Sequence, residues 1–116
     1  MRIRQEKINE LLKQEISKII LTDIKDPRLG FVTVQRVECS KDLSFAKVYI
    51  TVLGKESDIK RSLLVLNGAK DYIKVQVSNK IELRYIPNLN FLIDTKIDNT
   101  LKLLNLMEKD KEEHGY

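Results

Sequence analysis

Phe45-Ala46-Lys47-Val48-Tyr49-Ile50-Thr51-Val52-Leu53-Gly54 decides the fold. Ala46, Val48, Ile50 and Val52 alternate with Lys47, Tyr49 and Thr51, a period of two that places one face on a core and one in water. Upstream, Phe31 to Cys39 is rich in valine and threonine and reads as a second strand. Its alternation slips, because Val32 and Val34 share one face and Val37 and Cys39 take the other, so a bulge is expected near Gln35-Arg36. Ser40-Lys41-Asp42-Leu43 forms the turn between them, and a hairpin is the natural pairing.

Outward from the hairpin the period changes to that of helices. Ile8, Leu11, Leu12, Ile16, Ile19 and Ile20 recur at three and four, which predicts a helix over about residues 5–21. Asp26-Pro27 and Gly30 punctuate its exit. Beyond Gly54, Ser57 is a credible N-cap, with Asp58 in the first turn. Ile59, Leu63, Leu66, Ile73 and Val77 continue a helical stripe, and Asn67-Gly68 predicts a kink within it. Residues 81–94 read as a long third strand, with Pro87 at a bulge or an edge. A last amphipathic helix is expected over about residues 98–107, carrying Leu101, Leu104 and Met107, followed by an acidic, frayed tail. The expected class is α+β, with residues 1–95 as one domain and 96–116 as the terminal helix and tail.

The 116 residues allow one core. Net charge is +4, and residues 108–113 sum to −2, so the body before them carries +6. A basic body suits a polyanion, and the same charge also serves solubility. One cysteine, Cys39, excludes an internal disulfide and is read as a small buried side chain. No secretory segment or apolar run long enough to span a bilayer is found, so a soluble, cytoplasmic protein is expected.

Catalytic and metal signatures are missing. The sole histidine, His114, lies in the polar tail, and no phosphate-binding glycine loop or Cys-x-x-Cys pattern occurs. No cofactor, metal or small-molecule substrate is expected. Lys60, Asn67 and Lys74 recur every seven residues, which predicts one outward stripe with Lys70 beside it, and Lys80 and Arg84 follow on the next element. Lysines beside a helix break make a phosphate cradle. The residues alone weigh toward the plainer alternative, a solvated helix face. Tyr72 and Tyr85 could stack on bases, although core packing is the expected use.

Asp26-Pro27-Arg28-Leu29-Gly30, then Val32-Thr33-Val34, then Asp42-Leu43-Ser44-Phe45-Ala46-Lys47-Val48-Tyr49, resembles the ribosome-binding factor A family. Leu83-Arg84-Tyr85-Ile86-Pro87-Asn88-Leu89-Asn90-Phe91, closed by Asp94, extends the resemblance collinearly over nearly the whole chain. It implies a type II KH-like domain with a kinked helix pair. It also implies a monomeric, non-enzymatic factor that binds the small (30S) ribosomal subunit. Such a factor supports late 16S rRNA maturation by holding rRNA near the decoding region and the 5′-terminal helix.

KH domains clamp nucleic-acid backbone with Gly-x-x-Gly, and this family replaces that loop with Ala-x-Gly at the kink. Here Ala69-Lys70-Asp71 keeps the alanine, and Gly68 precedes it. By position, the implied phosphate contacts are Lys60, Lys70, Lys74, Lys80 and Arg84, then Arg28, Arg2 and Arg4. Arg28 reads equally as a structural partner of Asp26. The alternatives are a generic KH-type binder of single-stranded nucleic acid, a protein-interaction module and an RNA-processing enzyme.

Overall fold

The computed structural model describes residues 2–83 and 85–95, with backbone alone for residues 2 and 3. The elements run α1 (Arg2–Asp23), β1 (Phe31–Cys39), β2 (Phe45–Leu53), α2 (Glu56–Gly68), α3 (Lys70–Lys80) and β3 (Asn88–Ile93). The sheet order is β1-β2-β3, with β1 antiparallel and β3 parallel to the central β2. A parallel pair needs a long crossover, and α2 with α3 supplies it. This α+β arrangement is the expected one. The terminal helix expected over 98–107, and the tail, lie outside the described residues.

Both hairpin strands have the predicted ends, because β-branched side chains meet a face buried without interruption. Ala46, Val48 and Ile50 have no exposed surface. The register slips between Val34 and Arg36, so the bulge falls at Gln35 and returns Val37 and Cys39 to the core. Leu12, Ile16, Leu66, Ile73, Val77, Leu89 and Phe91 close on that face from the helices and β3. Gln5 Nε2 donates to the Cys39 carbonyl (2.7 Å) and the Cys39 N–H donates to Asn9 Oδ1 (3.0 Å). These two bonds fasten the end of β1 to α1. Cys39 is buried, and desolvation pushes its thiol up to about 11, as an inert core side chain requires.

Three expectations are corrected. The third strand covers only Asn88–Ile93. Its expected first half is spent leaving α3, where the Ile81 N–H donates to Val77 O and the Leu83 N–H to Ile81 O. Pro87, with no N–H of its own, then precedes the first paired residue. At α2 the cap is Lys55, not Ser57, and Asp58 Oδ2 accepts the Lys55 N–H at 2.8 Å. Gly54 adopts φ +136°, a conformation natural only to glycine, and an added Cβ would lie 2.6 Å from that Asp58 oxygen. Tyr72 and Tyr85 are exposed rather than core residues.

Candidate nucleic-acid interface

The helix break is built from one residue. Ala69 has φ −99° and ψ 3°, and its N–H is shared between Val65 O (3.0 Å) and Leu66 O (3.1 Å). Its own carbonyl accepts the Ile73 N–H (2.9 Å), so the residue that ends α2 also starts α3. No side chain caps α3, and the N–H groups of its first turn have no acceptor within the helix. They form the positive end of the α3 dipole, which Asp71 partly offsets and Lys70 reinforces. Gly68 adds no bulk, and a Cβ built there meets nothing within 4 Å. The break at Gly68-Ala69 is where the sequence places it.

The lysines do not form one outward stripe. Helical rotation of about 100° per residue holds only within a continuous helix, and the break resets it between Asn67 and Lys74. Asn67 turns inward, accepting the Phe91 N–H on Oδ1 (3.0 Å) and donating Nδ2–H to the Phe91 carbonyl (3.3 Å). On α3 the buried stripe is Ile73 and Val77, and the outward face carries Asp71, Val75 and Ser78. Lys70 and Lys74, one turn apart, flank the buried stripe on one side, and Lys80 flanks it on the other.

The remaining candidates are scattered. Lys74 is half-buried and its Nζ donates to Asn88 Oδ1 at 2.7 Å, tying α3 to the start of β3. Lys70 and Lys80 are exposed. Lys60 is exposed on α2, 4.0 Å from Glu56, a pairing worth little in water. Arg4 is exposed on α1. The side chain of Arg2, and Arg84 altogether, lie outside the described residues.

Arg28 is held by Asp26 in the α1–β1 connection. Its Nε and Nη2 lie 3.1 Å and 2.7 Å from the two carboxylate oxygens, and its backbone N–H donates to the same group at 2.9 Å. These bonds hold the Asp26 carboxyl down to about 2 and raise the guanidinium. A depressed carboxyl favours the fold above its ordinary value of 3.8, and that contribution is lost as pH falls toward about 2. NMR titration of the Asp26 carboxyl is expected to give a midpoint near 2, and Arg28→Ala should return it toward 3.8. A wild-type midpoint near 3.8 would show that the fork does not form in solution.

Beside this turn, a groove of about 470 Å³ runs to the helix break, with Lys25 and Arg28 on one wall and Gly68, Ala69 and Tyr72 on the other. The Tyr72 hydroxyl donates to Asp23 Oδ2 at 3.0 Å, which raises the phenol above its ordinary range. Lys25 has no signal in the sequence that marks it. It lies between Asp23 and Asp26, a setting that reads as a neutral turn until the fold brings the α2–α3 junction opposite. No cluster able to hold a metal ion occurs among the described residues, and no described helix is long and apolar enough to cross a membrane.

Comparison with known proteins adds the family. Residues 4–107 match the family described as Ribosome-binding factor A. The ribosome-binding factor A of Carboxydothermus hydrogenoformans is 39% identical over 112 residues, covering 97% of this chain and 90% of its own. The crystal structure of ribosome-binding factor A from Thermus thermophilus superposes with a TM-score of 0.70 at 28% identity, over 77% of this chain and 93% of that one. A Thermus thermophilus ribosome binding factor A homology model, fitted into a cryo-EM map of a 30S complex, gives 0.63 at 29% identity over 75% and 91%. These structures share the KH-like α+β architecture described above. Agreement of sequence over almost the full length, and of fold over three-quarters of it, leads to one assignment: this chain belongs to the ribosome-binding factor A family.

Proposed function

We propose that the chain binds the small ribosomal subunit and supports late 16S rRNA maturation, holding rRNA near the decoding region and the 5′-terminal helix. The observation that carries this reading is the similarity, in sequence and fold, to a protein fitted into a 30S complex. On this chain the break at Gly68-Ala69 starts a helix that no side chain caps, and its first two turns carry Lys70 and Lys74. That combination suits phosphate oxygens, which accept hydrogen bonds and complement the dipole together. Lys80, Lys60, Arg84, Arg4 and Arg2 add charge around it. Arg28 contributes less, because Asp26 already takes its fork. The chain acts as a cytoplasmic monomer by occupying its site and catalyses no reaction.

Such binding releases counterions, so log affinity should fall linearly with log salt. Sedimentation with purified small subunits across a salt series measures the slope. Lys70→Glu with Lys74→Glu is expected to weaken binding by on the order of tenfold and to make the slope shallower by about two. Thermal unfolding controls for the Lys74–Asn88 tie. Retention of affinity and slope in a folded variant rejects this surface. Equal affinity for free single-stranded RNA and for subunits would favour a generic KH-type binder instead.

A further inference from the structure

The phosphate contacts leave the groove at the helix break unused. Tyr72 stands on the flank of α3 opposite Lys70 and Lys74, because residues two apart on a helix point about 200° apart. It lines the groove from α3, and Leu64 lines it from α2, one on each side of the break. Tyr72 is 46% exposed and Leu64 73%, so two large apolar side chains meet water in one concave place. Between them Gly68 leaves the floor open, since a Cβ built there meets nothing within 4 Å.

The ring is also held. Its hydroxyl donates to Asp23 Oδ2 at 3.0 Å, which fixes Tyr72 against the end of α1. A ring already fixed loses little freedom when a flat partner stacks on it. A half-exposed aromatic of this kind is a stacking platform for a base of single-stranded nucleic acid.

The opposite wall decides between base and backbone. Asp23, Lys25, Asp26 and Arg28 line it, two acids and two bases, and the Arg28 fork is already taken by Asp26. A neutral wall repays a phosphate poorly. It suits an uncharged ring with a polar edge. The two Asp23 oxygens accept the Thr22 and Tyr72 hydroxyls, and each keeps a lone pair. Lys25 is exposed, has no ion-pair partner among the described residues, and only donates. An acceptor and a donor two residues apart match a base edge on which an amino group stands beside a ring-nitrogen acceptor. Adenine and cytosine have that edge, whereas uracil sets carbonyl oxygens against the carboxylate.

We propose that this groove takes one unstacked adenine or cytosine of single-stranded RNA, its ring on Tyr72 and Leu64 and its amino edge toward Asp23 and Lys25. Such a subsite rests on the rRNA binding proposed above, because the strand that meets Lys70 and Lys74 reaches it by crossing the start of α3.

The full chain, with its tyrosine rings labelled, tests this by NMR titration with single-stranded RNA hexamers. Adenylate and cytidylate hexamers should move the Tyr72 ring signals upfield and give NOEs from the ring to the base. The uridylate hexamer should bind about tenfold more weakly. Gly68→Leu fills the groove from its floor and should abolish these changes, and leucine's higher helix propensity keeps α2 folded. Tyr72→Phe keeps the ring and should keep most of the binding that Tyr72→Ala loses. Against small subunits, Gly68→Leu and Tyr72→Ala should each weaken binding about tenfold, at an unchanged salt slope because no cation is removed.

A Tyr72 ring unmoved by an excess of adenylate and cytidylate hexamers overturns the proposal, as does uridylate bound as tightly as either. So does a ring that responds to small-subunit proteins freed of RNA but not to RNA, which assigns the groove to a protein side chain. Parental subunit affinity in Gly68→Leu rejects the groove alone and leaves rRNA binding standing. If the parent protein itself fails to bind subunits, rRNA binding falls, and the hexamer titration decides the groove separately.

Discussion

Phe91→Ala is expected to remove about 3–5 kcal/mol of stability, the range for truncating a buried phenylalanine. Phe91 is 2% exposed in the middle of β3 and pairs with Val48 of the central strand. Its ring fills the space between the sheet and the crossover helices, where Leu66 of α2 and Ile73 and Val77 of α3 are fully buried. Those helices are fastened elsewhere, by the Gly30–Ser62 and Lys74–Asn88 hydrogen bonds, so they cannot collapse into the gap. The cost therefore includes the cavity as well as lost transfer energy. A domain of this size has a total stability of about 5–15 kcal/mol, so the variant is brought near its unfolding threshold. Urea unfolding checks it through a lower midpoint at constant slope. A loss under about 1.5 kcal/mol would mean that the site repacks, and that β3 is less firmly held than its burial implies.

The hairpin could be read residue by residue because its cause is local. Alternation assigns each side chain of Phe45–Leu53 to a face, and the slip at Gln35 is visible in the spacing of valines alone. The third strand is shorter than its alternation suggests, for an equally physical reason. Ile81, Leu83 and Tyr85 alternate as a strand would, but alternation cannot show whether a partner strand is within reach. The backbone there serves the end of α3 instead, and Tyr85 is exposed.

The candidate site shows the same division. Gly68-Ala69 was readable as a break because glycine and local propensity act within a few residues. The direction of each lysine was not, since Lys60 and Lys74 belong to helices whose relative rotation depends on Ala69 and on packing. The Arg28–Asp26 fork, at a separation of two residues, is within reach of sequence as one of two readings, and the structure contains it. Lys25 opposite Gly68 is a tertiary fact with no local signal.

Asn67→Ala should cost about 2–3 kcal/mol, much more than an exposed helix position would. In sequence Asn67 sits midway in a seven-residue repeat with Lys60 and Lys74 and looks like a polar surface residue. In the fold its amide spans both backbone groups of Phe91, accepting from the N–H and donating to the carbonyl. β3 is an edge strand, and its peptide groups turned away from β2 need partners from another element. Alanine leaves one donor and one acceptor of a partly buried strand without theirs. It also releases the last turn of α2 from β3, immediately before the Gly68-Ala69 break. Asn67→Asp keeps the acceptor but sets a carboxylate against a carbonyl, so it should retain the bond to the Phe91 N–H and lose the other. Hydrogen exchange separates the two variants, with the Phe91 amide losing protection in Asn67→Ala and keeping more of it in Asn67→Asp. Because the break is positioned from this side chain, subunit affinity should fall in Asn67→Ala at a salt slope that stays constant, as no charge is changed. If Asn67→Ala unfolds within about 0.5 kcal/mol of the parent and Phe91 stays protected, the amide is merely solvated. The helix break would then owe its position to Ala69 alone.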